Sequence, residues 1–387
     1  MENNIVEKTE NTENVSEVKL SKKDLKNFSL NFSDNYIKSN YPEHIPTGFA
    51  ELDKLLGGGL APGLIVLGAI SSLGKSTFSL QVAQNIAKQG RPVIYYSLEM
   101  SKHAVSMKAV QRSAFIKCRK KAKNLFKTDE NGARYISPSV YEKLKKESVS
   151  TYDLLRNVPE KEELKKSAME ECANECKDNL FIIERDFSNS DFSAKSISDF
   201  VTEFIRVTGT KPVVFVDYLQ ILISSTDKTH KTEKQIVDEN IQKLWLIANQ
   251  NQIPVFVISS VNRDSYSKSI SFSSFKESGG IEFTADIVLG MQFSALHGRR
   301  SEDRQTFNPD EEKGKDPRRV EVIVLKQRYG KSGSNAYDRF IYFPEFSYFE
   351  EGDIEGLASE PTEEPEEKEE KKTVRKSRLS TGSGKRV

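Results

Sequence analysis

Short, unbroken apolar runs separated by polar stretches of helical periodicity dominate the chain from Ile45 onward. Residues 64–67, 93–98, 180–183, 213–216 and 255–258 are continuous rather than alternating, the pattern of strands buried on both faces in a parallel sheet. Between them, residues 236–250 place Ile236, Val237, Ile241, Leu244, Trp245 and Ala248 at helical spacing, which predicts a helix with Trp245 on its core face. Later runs at 287–291, 320–325 and 340–343 predict added strands, the last two forming a hairpin around 328–334. Strand and helix in alternation imply an α/β fold, a doubly wound and mainly parallel sheet with its ligand at the strand C-termini.

The pattern breaks in three places. Between Ser113 and Lys177 the sequence turns Lys/Glu-rich and helical without strand signals, which predicts a helical insertion over about 116–177. Residues 1–19 are polar and aperiodic, so 1–44 reads as a disordered N-terminus, with Leu20, Leu25, Phe28, Leu30 and Phe32 marking a possible linker helix. After Gly356 the tail is acidic over 363–370 and then basic over 371–386. Residues 351–387 therefore read as a disordered tail, leaving 45–350 as the globular domain.

Composition narrows the class. The 387 residues are 36% hydrophobic and 30% charged, with no apolar stretch near the ~20 residues of a membrane span and no signal peptide. Three cysteines point to a reducing, cytoplasmic setting. Cys172 and Cys176 share a helix face, but no histidine stands near them, so they read as free thiols rather than metal ligands. A formal charge of +1 gives no global attraction to nucleic acid, and any such binding must rest on local patches.

The most specific chemistry sits at Gly68-Ala69-Ile70-Ser71-Ser72-Leu73-Gly74-Lys75-Ser76-Thr77. A strand runs into a glycine turn ending in Gly-Lys-Ser, and a helix with Phe78, Val82 and Ile86 on one face leaves it. That is a phosphate loop: backbone N–H groups and a helix N-terminus facing a triphosphate. Ala69, Ser72, Gly74, Lys75, Ser76 and Thr77 would cradle ATP, with Lys75 against the β/γ-phosphates and the Ser76 hydroxyl on Mg²⁺. The consensus expects glycine at position 69, where this chain has alanine.

Asp217 closes an apolar strand and is placed to hold Mg²⁺ with Ser76. Glu99 follows the next strand, where a carboxylate could orient and deprotonate the attacking water; alternatively it is a solvated residue ahead of a helix capped by Ser101. The cation-rich turn from Lys326 to Gly333 is by composition a solvated turn, and by position a candidate arginine finger supplied to another copy.

Taken in order, these segments resemble the C-terminal motor domain of DnaB-family replicative helicases (superfamily 4) over roughly residues 45–349. Ile45-Pro46-Thr47-Gly48-Phe49 with Leu52-Asp53 is similar to the start of that domain. The family's phosphate loop also commonly begins with Ala, so Ala69 strengthens the match. Ser97-Leu98-Glu99-Met100-Ser101 is similar to the segment of its catalytic glutamate, and Asp217-Tyr218-Leu219-Gln220 to its metal-aspartate motif. Lys276-Glu277-Ser278-Gly279-Gly280-Ile281-Glu282 with Ala285-Asp286 resembles its DNA-facing loop. Lys326-Gln327-Arg328-Tyr329-Gly330 resembles the element that supplies the arginine finger and a neighbouring lysine.

The resemblance implies a RecA-like fold and a homo-oligomer, a ring hexamer with ATP between subunits, that translocates on single-stranded DNA. Glu99, Lys75, Arg328 and Lys326 would be catalytic, and Arg263, Lys276, Glu277 and Gly279 would meet DNA. Tyr266, Phe272 and Phe275 lie in the same stretch as possible base platforms or packing residues. A primase or helicase loader is an implied partner.

Two departures stand out. Ser259 is followed by Ser260, where the family usually has the glutamine thought to couple the γ-phosphate to the DNA loops, and the family's N-terminal helical domain has no counterpart in this sequence. A RecA-like DNA-binding ATPase acting as loader or switch without unwinding, or a signalling ring ATPase without a DNA role, are the alternatives.

Overall fold

A computed structural model of the chain describes residues 42–355 apart from 130–131, 157, 177, 185–191, 223–231, 277, 298–306 and 329. The expected linker helix and charged tail fall outside the described residues. The chain divides after Glu43, and the unit beginning at His44 carries the fold.

In chain order, α1 (Ala50–Leu55) precedes β1 (Gly63–Ala69), and α2 (Lys75–Lys88) leads to β2 (Val93–Ser97). A long excursion follows: α3 (Lys102–Lys121), β3 (Phe126–Thr128), β4 (Arg134–Ile136), α4 (Pro138–Glu147), α5 (Thr151–Leu155) and α6 (Glu162–Cys176). The chain then alternates β5 (Leu180–Glu184), α7 (Ala194–Thr208), β6 (Val213–Asp217), α8 (Glu233–Asn251), β7 (Pro254–Ser260), α9 (Ser278–Thr284) and β8 (Ile287–Phe293). After α10 (Pro309–Gly314) it closes with β9 (Arg318–Gln327), β10 (Tyr337–Phe343) and β11 (Tyr348–Glu351).

Nine strands form one sheet in the order β11-β10-β9-β8-β1-β7-β6-β2-β5. From β8 to β5 the pairing is parallel, and from β8 through β11 it is antiparallel. The run at 287–291 is therefore no late addition: β8 pairs directly and in parallel with β1. Strands β1, β2, β6 and β8 are buried along their whole length, which is why their sequences do not alternate.

Topology fixes where a ligand must bind. The crossover from β1 runs through α2 toward β2, whereas those from β5, β6 and β7 return the other way. Right-handed crossovers then place α2, α3 and α6 on one face and α7, α8 and α9 on the other. β1 and β7 are neighbours whose following segments leave to opposite faces, which makes the crevice at their C-terminal ends the switch point.

The expected helix at 236–250 is α8, begun by a capping box in which the Thr232 hydroxyl accepts the Gln235 N–H (3.3 Å) and the Gln235 amide oxygen accepts the Thr232 N–H (2.8 Å). Trp245 packs against the main core as its spacing required.

The insertion is helical except for the hairpin β3–β4, whose three-residue strands are too short to signal themselves. It is anchored by its own apolar cluster. Phe115, Leu125, Ile136, Tyr141 and Leu144 pack on Ile341, Phe343 and Phe346, with the Phe115 and Phe346 rings stacked at 4.6 Å. Ile354, beyond β11, is buried in the same cluster, so packed chain continues past residue 350. Among the described residues no helix is long and apolar enough to cross a membrane.

Candidate active site

The loop after β1 follows from two steric facts. Gly68 lies under the Phe275 ring, where a Cβ would stand 2.3 Å from a ring carbon. Gly74 is the left-handed N-cap of α2 (φ +97°), against Tyr342 and Phe349. The chain turns between them, and Ser72 adopts a left-handed conformation (φ +65°) at the tip. Lys75 bends back so that its ammonium donates to the carbonyls of Ala69 and Ile70, each at 3.0 Å. Burial pushes that ammonium's pKa down, while the carboxylates of Asp217 and Glu99 pull it back up.

Strand pairing delivers those carboxylates. Ser97 pairs with Asp217, and the Leu98 N–H donates to the Asp217 carbonyl (2.8 Å). Asp217 is buried, and burial raises its pKa; the Ser76 hydroxyl and the Tyr95 hydroxyl (3.1 Å from Oδ2) hydrogen-bond to it and oppose that rise. Its Oδ1 has no protein partner. A buried carboxylate with one idle oxygen beside the loop's serine fits a divalent cation held through its water shell.

β2 stops at Ser97, so Glu99 lies in the bend beyond the strand and not at its end. It is exposed and acts electrostatically on both Lys75 and Asp217. The Ser101 hydroxyl does cap α3, accepting the Ala104 N–H at 3.2 Å. Cap and carboxylate coexist, because Glu99 lies in the bend while the helix starts three residues later, at Lys102.

Several neighbours carried no motif. Arg112 is fully buried and donates to the Ser347 carbonyl (2.7 Å), the Thr77 carbonyl (3.3 Å) and the Gln84 amide oxygen, and burial lowers its pKa to about 10. Lys108, one helical turn earlier on α3, reaches the Thr77 hydroxyl at 3.4 Å. Two cations four residues apart on a face otherwise occupied by Val105 and Phe115 were the signal available in the sequence. Gln220 joins the ends of β6 and β7: its amide donates to the Ser259 hydroxyl (2.9 Å), and its oxygen accepts the Ser260 N–H (3.2 Å).

Arg328 and Lys326 do not join this cluster. Gln327 pairs with Ile287, which pairs with Ile65, so both cations sit at the N-terminal end of β1. That is four residues, roughly 13 Å, from the end of the strand that carries the loop. Arg328 forms an ion pair with Asp286 (2.7 Å), whose other oxygen accepts the Leu64 N–H (2.8 Å); Lys326 donates to the Glu282 carbonyl (2.6 Å).

In the stretch after β7, Arg263, Lys268 and Lys276 are exposed, Gly279 lies in α9, and Glu277 is outside the described residues. The aromatics there pack: Phe275 is buried on Gly68, and Phe272 and Tyr266 lean on the core. The three cysteines are free, and no group of three or more His, Cys, Asp or Glu suited to a metal ion occurs among the described residues.

The model of the DnaB-like helicase C terminal domain matches residues 44–153 and 148–351. The chain belongs to this family. A replicative DNA helicase DnaB of Geobacillus stearothermophilus is 26% identical over 309 residues, covering 77% of this chain and 56% of the relative. A probable replicative DNA helicase of Trieres chinensis is 25% identical over 294 residues, covering 75% and 54%. The chain thus spans about half the length of the curated relatives it matches.

Among solved structures, a DnaB-like replicative helicase, described with its interactions with primase, superposes with a TM-score of 0.59 at 19% identity, covering 84% of this chain and 65% of that one. A separately solved ATPase domain gives 0.58 at 20%, covering 82% and 95%. The likeness establishes the fold: a RecA-like ATPase domain with antiparallel strands added beyond β8.

Proposed function

We propose that this chain is the motor of a DnaB-type replicative helicase. It hydrolyses ATP with Mg²⁺ at interfaces between copies of itself, arranged as a hexamer, and translocates on single-stranded DNA in the cytoplasm. The observation that carries the reading is the convergence of Lys75, Ser76, Asp217 and Glu99, drawn from three separate strand ends onto one crevice of a DnaB-family fold.

Each residue has a task that its surroundings support. The loop N–H groups and the Lys75 ammonium bind and neutralise the β/γ-phosphates. Ser76 and Asp217 would hold Mg²⁺, which supplies Lewis-acid charge to the phosphate oxygens when bound. Glu99, exposed to water yet within electrostatic reach of Lys75, orients the attacking water and accepts its proton. Arg328 and Lys326 sit at the opposite end of the sheet's strands from their own loop, so a transition-state role for them requires a neighbouring copy's site. Arg263, Lys276, Glu277 and Gly279 form the DNA-facing stretch, with a primase or loader as further partner.

The test is ATPase activity with and without single-stranded DNA, alongside strand displacement on a forked duplex. DNA-stimulated hydrolysis with displacement is expected. Hydrolysis indifferent to DNA would overturn the reading, and stimulation without displacement would replace the motor by a loader or switch. Mixing Arg328→Ala chains with Lys75→Ala chains should restore part of the activity that each lacks alone; no recovery would remove the shared site.

A further inference from the structure

Asp286 stands in sequence with the stretch that resembles a DNA-facing loop, yet the structure seats it on the first residues of β1. Its N–H donates to the Leu64 carbonyl (2.9 Å), and its Oδ2 accepts the Leu64 N–H (2.8 Å). Gly63 (φ +141°) makes room for it, since a Cβ there would stand 2.8 Å from the same oxygen. The remaining oxygen, Oδ1, lies 2.7 Å from Arg328 Nε. The Asp286 side chain is 17% exposed and that of Arg328 46%, so a rigid, half-covered carboxylate holds an arginine that still reaches solvent. No second carboxylate pairs with Arg328 among the described residues. The backbone leading to it is fastened as well. The Lys326 ammonium lies on the last carbonyls of α9, Glu282 (2.6 Å) and Phe283 (3.5 Å), and the Gln327 amide donates to the Leu55 (3.0 Å) and Lys331 (2.7 Å) carbonyls.

A guanidinium carries several N–H donors in one plane, so a carboxylate at its Nε edge leaves donors on the outer edge for a second anion. A long side chain held in one direction loses its rotamer freedom on folding rather than in the transition state. We propose that Asp286 is a positioning residue for phosphoryl transfer, fixing the direction in which Arg328 presents its outer N–H donors to the phosphates held by a neighbouring copy. The carboxylate can do this because both its backbone and its second oxygen are locked to Leu64 on the central strand of the sheet. The inference rests on the proposed function for the site shared between copies. It adds that the arginine's guide comes from the start of β8 in its own chain, not from the neighbour.

Asp286→Asn keeps an acceptor for the Leu64 N–H and removes the charge that holds Arg328. In the full chain its kcat for ATP should fall about a hundred-fold, the scale of a misplaced catalytic group. The ATP KM and the affinity for a non-hydrolysable fluorescent ATP analogue should stay unchanged, because the chain's own phosphate loop lies at the other end of β1. Mixtures separate positioning from mere structural support. Asp286→Asn chains mixed with Lys75→Ala chains should regain part of the activity, since some sites then draw Lys75 from one chain and the intact Asp286–Arg328 pair from the other. Asp286→Asn chains mixed with Arg328→Ala chains are damaged on the same side and should regain none. Arg328→Lys, which keeps a charge opposite Asp286 but not the planar fork, should lose kcat as Arg328→Ala does, whatever the stability of the Asn variant. Wild-type or faster turnover by Asp286→Asn or by Arg328→Lys, or equal recovery in the two mixtures, would overturn the proposal. If Arg328→Ala itself turns over at the wild-type rate, the shared-site reading falls and takes the positioning role with it. If Arg328→Ala is inactive and Asp286→Asn is not, the positioning role falls alone.

Discussion

Replacing Gly68 with alanine tests whether the end of β1 is shaped by Phe275. The residue sits in regular strand with no positive φ, so alanine carries no conformational penalty and the cost is steric. Its Cβ would stand 2.3 and 2.4 Å from two carbons of the Phe275 ring, closer than carbon atoms approach without displacement. The ring is only 1% exposed and cannot swing into solvent. Overpacking a closed core of this kind costs about 1–3 kcal/mol. With a urea m-value of about 3 kcal/mol/M, the unfolding midpoint of Gly68→Ala should fall by roughly 0.3–1 M. Phe275→Leu alone should also destabilise, by about 1–2 kcal/mol, through the space it leaves. In the double variant the two changes share that space, and a coupling of about 0.5–3 kcal/mol should make it more stable than the sum of the singles implies. A Gly68→Ala midpoint equal to wild type, or strictly additive effects, would refute the contact as the reason for glycine.

Asp217→Asn should abolish Mg²⁺-dependent ATP hydrolysis without destabilising the fold. Burial raises the carboxyl's folded pKa above 3.8, so its ionisation costs stability as pH rises past that value, and the amide lacks this slope. A thermal midpoint in EDTA at pH 7.5 below wild type would contradict the electrostatic assignment. Asp338, buried beside the Glu351 carboxyl, has its pKa pushed by burial up to about 8. Between about pH 4 and 8 the folded state holds a proton that the unfolded state has lost, so stability falls with rising pH by a few kcal/mol. Asp338→Asn should flatten that slope between urea midpoints taken at pH 5 and pH 8, and an unchanged slope would reject burial of Asp338 as its source.

Much of the site was legible because its residues obey local rules. Glycines at a strand-to-helix turn, a lysine and serine at the helix start, and an aspartate closing an apolar run each announce themselves within ten residues, and parallel pairing then brings Lys75, Ser76, Asp217 and Glu99 together. Two expectations failed for reasons of the same kind. The run at 287–291 was placed late in the fold because order along the chain says nothing of order across a sheet, and β8 in fact flanks β1. The hairpin β3–β4 was missed because strands of three residues are too short to show a periodicity.

By itself, then, the sequence determined the alternation of buried strands and helices, the phosphate-loop pattern with an aspartate closing a later strand, and the likeness to one family, since these depend on spacing along the chain. Tertiary structure alone decided which distant residues touch. Arg112 beneath the phosphate helix, Phe275 on Gly68, Tyr266 on Ser71, and Arg328 on Asp286 at the strand ends opposite its own loop are all contacts between segments far apart in sequence. Such pairs follow from strand order and register, which set the neighbours of every side chain and leave no mark in the local pattern of hydrophobic and polar positions.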